Sequence, residues 1–158
     1  MRGPSVGSRL AVPLPRLIAG LSACDSALFR RWWPGVEHEV LELHASVPIG
    51  PEPDSVPDGC DGPLRRCASS LWAYKVDIAC LTRRGWVLVE CKPRSRHKAL
   101  GQLLSYAFWW EHLNGLGRPA ELLVVTTDIL PEVRAAYAAH GVKVATVGDV
   151  DGASGHFY

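Results

Sequence analysis

Three side chains in this sequence are of the right types and spacing to do chemistry together: Asp77, Glu90 and Lys92. They fall in one stretch, Val76 to Tyr106, VDIACLTRRGWVLVECKPRSRHKALGQLLSY. It reads as a strand, a tight turn at Thr82-Arg83-Arg84-Gly85, a second strand and a helix. A turn centred between Arg83 and Arg84 pairs residues whose numbers sum to 167. Asp77 and Glu90 satisfy that sum, so the hairpin places them opposite each other on one face. Two carboxylates so placed repel, and a divalent cation held between them removes the penalty. Oxygen donors of this kind suit Mg2+ or Mn2+, with waters and a phosphate completing the shell. Lys92 lies two residues after Glu90 and so shares its face. Its ammonium can orient a water, assist its deprotonation, or stabilise charge building on a phosphate. The backbone carbonyl of Cys91 is a further candidate ligand, while its side chain faces the core. Trp86 and Leu88 precede the acid on the same face as an apolar floor.

Two more residues belong with this set. Gln102 and Tyr106 are four apart on the following helix and share a side, which Lys98 extends by one turn. An amide and a phenol there can hold a phosphodiester, a water, or Lys92. The formal net charge is only +1, so bulk charge points to no partner. Its distribution does: from Lys75 to Lys98, seven Lys and Arg face only Asp77 and Glu90. Arg94, Arg96 and Lys98 lead into the helix N-terminus, and are candidate nucleic-acid contacts through phosphate.

The remaining elements must position these groups. At 158 residues and 47% hydrophobic, the chain reads as one domain over residues 15–150, with a loose arm at 1–14 and a tail at 151–158. A helix is predicted from Pro15, ended by Trp32-Trp33-Pro34-Gly35. A strand follows at Val36–Val47, then a long Pro- and Gly-rich loop over residues 48–68. Strands at Ser69–Leu81 and Gly85–Lys92 form the hairpin, and residues 97–113 a helix with apolar residues at i, i+3, i+4 and i+7. Glu121–Thr127 is a continuous apolar strand of the doubly buried kind. The helix Pro131–His140 and the strand Val142–Val147 complete a crossover with parallel pairing. The fold class is therefore α/β: a mixed central sheet flanked by helices, an αβββαβ core with an added α–β unit. Five cysteines without a CxxC pair fit no zinc site and imply a reducing, cytoplasmic setting. No apolar run approaches the roughly 20 residues that span a bilayer.

A strand Asp, a hairpin, Glu-x-Lys in VECKPR, and a helix with Gln-x-x-x-Tyr in ALGQLLSY resemble the PD-(D/E)XK nuclease superfamily, most of all its RecB-like and Holliday-junction-resolvase-like members. The resemblance implies a restriction-endonuclease-like fold and Mg2+- or Mn2+-dependent hydrolysis of phosphodiesters. It implies Asp77 and Glu90 as metal ligands, Lys92 as the catalytic lysine, and Gln102 and Tyr106 as helix-borne support. DNA is the expected partner, and a homodimer the expected assembly. Two departures stand out. Val76, not proline, precedes Asp77. Many members also carry an acid on the first helix, for which this chain offers Asp25, with Glu37, Glu39 and Glu42 after it; the sequence leaves open which completes the site. The alternative is the same fold kept as a module that binds nucleic acid or protein without cutting.

Overall fold

The computed structural model describes residues 8–10, 12–51, 62–63, 74–113 and 115–148. The expectations for residues 1–7, most of the long loop with Cys60 and Cys67, the first part of the hairpin strand with Trp72, the helix stop at Asn114 and the tail lie outside the described residues. In chain order the elements are β1 (Ser8–Arg9), α1 (Ala23–Trp32), two 3-10 turns (Trp33–Gly35 and Glu37–Glu39), β2 (Val40–Ile49), β3 (Tyr74–Thr82), β4 (Gly85–Cys91) and β5 (Arg94–Ser95). Then come α2 (His97–His112), β6 (Glu121–Thr126), β7 (Asp128–Ile129), α3 (Pro131–Ala139) and β8 (Val142–Thr146).

The main sheet has the order β1-β2-β3-β4-β6-β8. Its first four strands pair antiparallel; β4, β6 and β8 are parallel, joined by the crossovers through α2 and α3. This is the predicted mixed sheet between helices. β4 is almost wholly buried and alternates strictly. Val87, Val89 and Cys91 pack with Leu28, Phe29 and Trp32 of α1. Trp86 and Leu88 pack with Leu103, Tyr106 and Trp110 of α2 and with Val133 and Tyr137 of α3. Each large side chain so buried is worth roughly 1.5–3 kcal/mol, and the two cores lock the helices to opposite faces of β4.

Three local expectations differ from the structure. The first helix starts at Ala23, not Pro15, because Ser22 caps it, its hydroxyl accepting from Asp25 N at 3.1 Å. Gly20, at φ +84°, also forbids a continuous helix before that point. The strand expected from Val36 starts at Val40, since Glu37–Glu39 winds into a 3-10 turn. Within the segment expected to be a loose arm, Ser8 and Arg9 pair with Ala45 and His44 as an edge strand.

The β2–β3 ladder carries a kink. Leu43 and Ala45 lie in the α1-side core, yet Val47 and Ile49 lie in the α2-side core. Across the ladder, Ile78 and Cys80 lie on the first side and Val76 on the second. A regular strand with period 2 would keep each set on one face. After a register shift between Val40 and Glu42, the pairing keeps one register from Glu42↔Leu81 to Ile49↔Tyr74, with Ala45↔Ile78 and Val47↔Val76 either side of Ser46 and Asp77. Ser46 has φ +49°, left-handed backbone that L-residues rarely adopt. Both strands turn over at that point, and Asp77 sits in the turn.

Candidate active site

The β3–β4 hairpin obeys the expected arithmetic from Thr82↔Gly85 to Ile78↔Val89, every pair summing to 167. It stops one pair short of Asp77 and Glu90. Beyond that, β3 continues against β2 as far as Tyr74↔Ile49, while β4 continues against β6 as far as Cys91↔Val125. The sheet parts between them, and Asp77 reaches into the gap. Its Oδ2 accepts the Cys91 N–H at 2.9 Å, replacing the ladder bond that the kink removes. Lys92 joins the two acids, its Nζ lying 2.9 Å from Glu90 Oε1 and 3.5 Å from Asp77 Oδ2. On α2, Gln102 Nε2 donates to Tyr106 Oη at 3.1 Å. The structure thus brings Asp77, Glu90 and Lys92 into direct contact and pairs Gln102 with Tyr106. The Cys91 side chain packs in the α1-side core.

Burial governs the electrostatics. Glu90 is 1% exposed, and desolvation with the neighbouring Asp77 charge pushes its carboxyl up to about 7 against the pull of Lys92. Desolvation also raises Asp77, opposed by Lys92 and the Cys91 N–H. Burial alone would lower Lys92, but the Asp77 and Glu90 charges override it and hold the ammonium well above its ordinary value. Tyr106 is pushed up to about 12 by burial and then by Glu90. The Cys80 and Cys91 thiols are raised by burial and stay protonated.

The open question of the further acid narrows. The charge of Asp25, on the first turn of α1, pushes both Asp77 and Glu90 upward. Its carboxylate accepts from Ser22 Oγ at 2.7 Å. Glu42 pairs instead with His44 at 3.2 Å, and Glu39 with His38 at 3.7 Å. Among the described residues no group of three or more His, Cys, Asp or Glu is placed to hold a metal ion. The pair itself fits a hard cation. Its donors are carboxylate oxygens, and among the described residues Glu90 Oε2 and Gln102 Oε1 are buried without a hydrogen-bond partner, a costly state that a cation or its water relieves.

The segment after Lys92 is clamped by groups the sequence reading did not single out. Lys92 N donates to Val125 O at 3.0 Å. Pro93 O accepts from Thr127 Oγ1 at 2.6 Å and from Thr126 Oγ1 at 3.2 Å. Ser95 Oγ and Tyr137 Oη lie 2.7 Å apart, and Tyr137 Oη donates to the Arg96 carbonyl. The short parallel pair of β5 and β7 lies in the same clamp. The polar run Thr126-Thr127-Asp128 closing an apolar strand was its only signal. Of the basic residues, Arg94 and Lys98 are exposed, while Arg96 is paired with Asp128 at 3.3 Å. Ser46 was also missed, since nothing in its neighbours marks a left-handed residue. Its hydroxyl donates to Ala19 O at 2.9 Å, and a Cβ on Gly20 would lie 1.7 Å from Ser46 Oγ.

No protein-family model matches the chain, and no curated protein matches it. Among solved structures, the crystal structure of a repair endonuclease from Pyrococcus abyssi is similar, with a TM-score of 0.45 and 16% identity. The match covers 85% of this chain and 50% of that one, so this chain spans about half its length. At that level of likeness the functional reading rests on the residues described above.

Proposed function

We propose that the chain is a Mg2+- or Mn2+-dependent nuclease that hydrolyses phosphodiester bonds, with DNA as its substrate. The observation that carries this is the contact of a buried carboxylate, Glu90, a half-buried one, Asp77, and the Lys92 ammonium where β3 and β4 part. Asp77 and Glu90 would hold the cation, with the Cys91 carbonyl as a further donor. A divalent ion supplies Lewis acidity toward the phosphate and makes a water nucleophilic near neutral pH. Asp77 and Glu90 keep Lys92 protonated, so it acts as a fixed cation toward charge developing on the phosphate, not as a base. Gln102, its Nε2 donating to Tyr106, keeps its Oε1 available to accept from a water. Arg94 and Lys98 hold the strand through its phosphates. Arg96 can join them by trading its exposed pair with Asp128, a pair of a kind worth little.

The second reading, a module that binds without cutting, is favoured by one observation: no third ligating side chain joins the pair among the described residues. Titration calorimetry separates the two. The nuclease reading expects Mn2+ to bind at millimolar concentrations or below, and Asp77→Ala to abolish the heat. Nucleic-acid binding with no metal binding supports the module.

A further inference from the structure

The chemistry on α2 runs out at Tyr106, but its stripe continues. Lys98, Gln102, Tyr106 and Trp109 stand at i, i+4, i+8 and i+11 on one helix. Eleven residues make close to three turns at 3.6 per turn, so the four form one line about 16 Å long. In order it carries an exposed ammonium, a half-buried amide, a buried phenol and an indole. Trp109 has its ring centroid 6.4 Å from Tyr106 and 5.0 Å from Tyr74, tilted by 37° and 35°. Trp109 is half-buried, and its six-membered ring rests on Gly50, where an added Cβ would lie 3.0 Å from Cε3. Gly50, at φ +94°, is a seat that no other residue provides without strain. Tyr74 is 57% exposed. It lies three residues before Asp77 on β3, about 10 Å along the strand, on the side where β3 and β4 part.

Trp86 and Trp110, 5.3 Å apart, already serve as core anchors, so the core does not need Tyr74. Its ring is held against Trp109 with much of its surface in water. A line that begins at the exposed Lys98 ammonium and ends in paired aromatic rings matches a single nucleic-acid strand, whose phosphate meets the first and whose base stacks on the second. A base paired within a duplex has no free face for such a platform.

We propose that Tyr74 and Trp109 form a stacking platform for an unpaired base next to the scissile phosphate, making single-stranded or frayed DNA the substrate class. This rests on the reading of the site as one that acts on phosphodiesters. The test is fluorescence anisotropy in EDTA, with labelled dodecathymidylate and an abasic oligomer of equal length as probes. Wild type should bind the base-bearing strand about tenfold or more tightly than the abasic one. Tyr74→Ala should bring the two together, with circular dichroism and the slope of log Kd against log salt unchanged, because phosphates set that slope. Tyr74→Phe should restore the preference. Equal binding of both probes by wild type, no binding of either, or an unchanged preference in Tyr74→Ala overturns the platform. A base preference that persists in a protein cutting no DNA leaves the platform standing and removes the hydrolytic reading alone.

Discussion

Glu90 combines deep burial with half-used hydrogen-bonding capacity. One oxygen meets Lys92, and the other has no partner among the described residues. Its carboxyl is raised from 4.5 to about 7, which fixes the sign of its linkage to stability. The folded chain holds a proton there that the unfolded chain has released, so stability is lost as pH rises from about 4.5 to about 7. Asp77 is raised and adds in the same direction. In metal-free protein, Glu90→Gln should therefore stabilise at pH 8 by on the order of 2 kcal/mol, with little effect at pH 4. Denaturant melts at the two pH values check this. A variant less stable than wild type at pH 8 would mean that Glu90 is structural and fully paired. The types and spacing of Asp77, Glu90 and Lys92 were legible because period 2 and a two-residue turn are rigid rules. The partner of each acid was not. Asp77 takes a backbone N–H and Glu90 takes Lys92, choices set by where the ladder ends.

At the scale of elements, the kink at Ser46 and Asp77 opens the site. It turns the far halves of β2 and β3 toward α2 and ends the β3–β4 pairing at Ile78↔Val89. Hydrophobic alternation could not reveal this, because Leu43, Ala45, Val47 and Ile49 alternate as a regular strand would, although they serve two cores. The helix start was misplaced for a related reason. Apolar spacing from Pro15 looked helical, but the Ser22 cap and Gly20 decide the boundary. Ser46→Gly should preserve the kink, since glycine adopts positive φ freely. Ser46→Val should cost about 1–3 kcal/mol through backbone strain and lower kcat in the fraction that remains folded, because Asp77 loses its place. Melts and single-turnover assays of the two variants check the pair. Equal activity in both would show that the kink does not position Asp77.

At the scale of the whole molecule, α1 covers one face of the sheet and α2 with α3 the other. That arrangement was legible in part, from the doubly buried strand β6 and from the one predicted crossover, through Pro131–His140. The short β1, β5 and β7 were not, since each has two residues and depends on its tertiary partner. Among the described residues the outcome is a sheet with a buried central strand, β4, whose end parts from β3. Among the described residues no helix is long and apolar enough to cross a membrane. The three layers converge there: β3 brings Asp77, β4 brings Glu90 and Lys92, α2 brings Gln102 and Tyr106, and α1 sends the charge of Asp25. The most direct measurement is cleavage of end-labelled single-stranded and duplex DNA in Mg2+ or Mn2+ by wild type, Asp77→Ala and Lys92→Ala, each shown folded by circular dichroism. The account predicts metal-dependent cutting by wild type, abolished by EDTA and reduced at least about 100-fold in each variant. Cutting at the wild-type rate by the folded variants, or none by wild type in either metal, would contradict it.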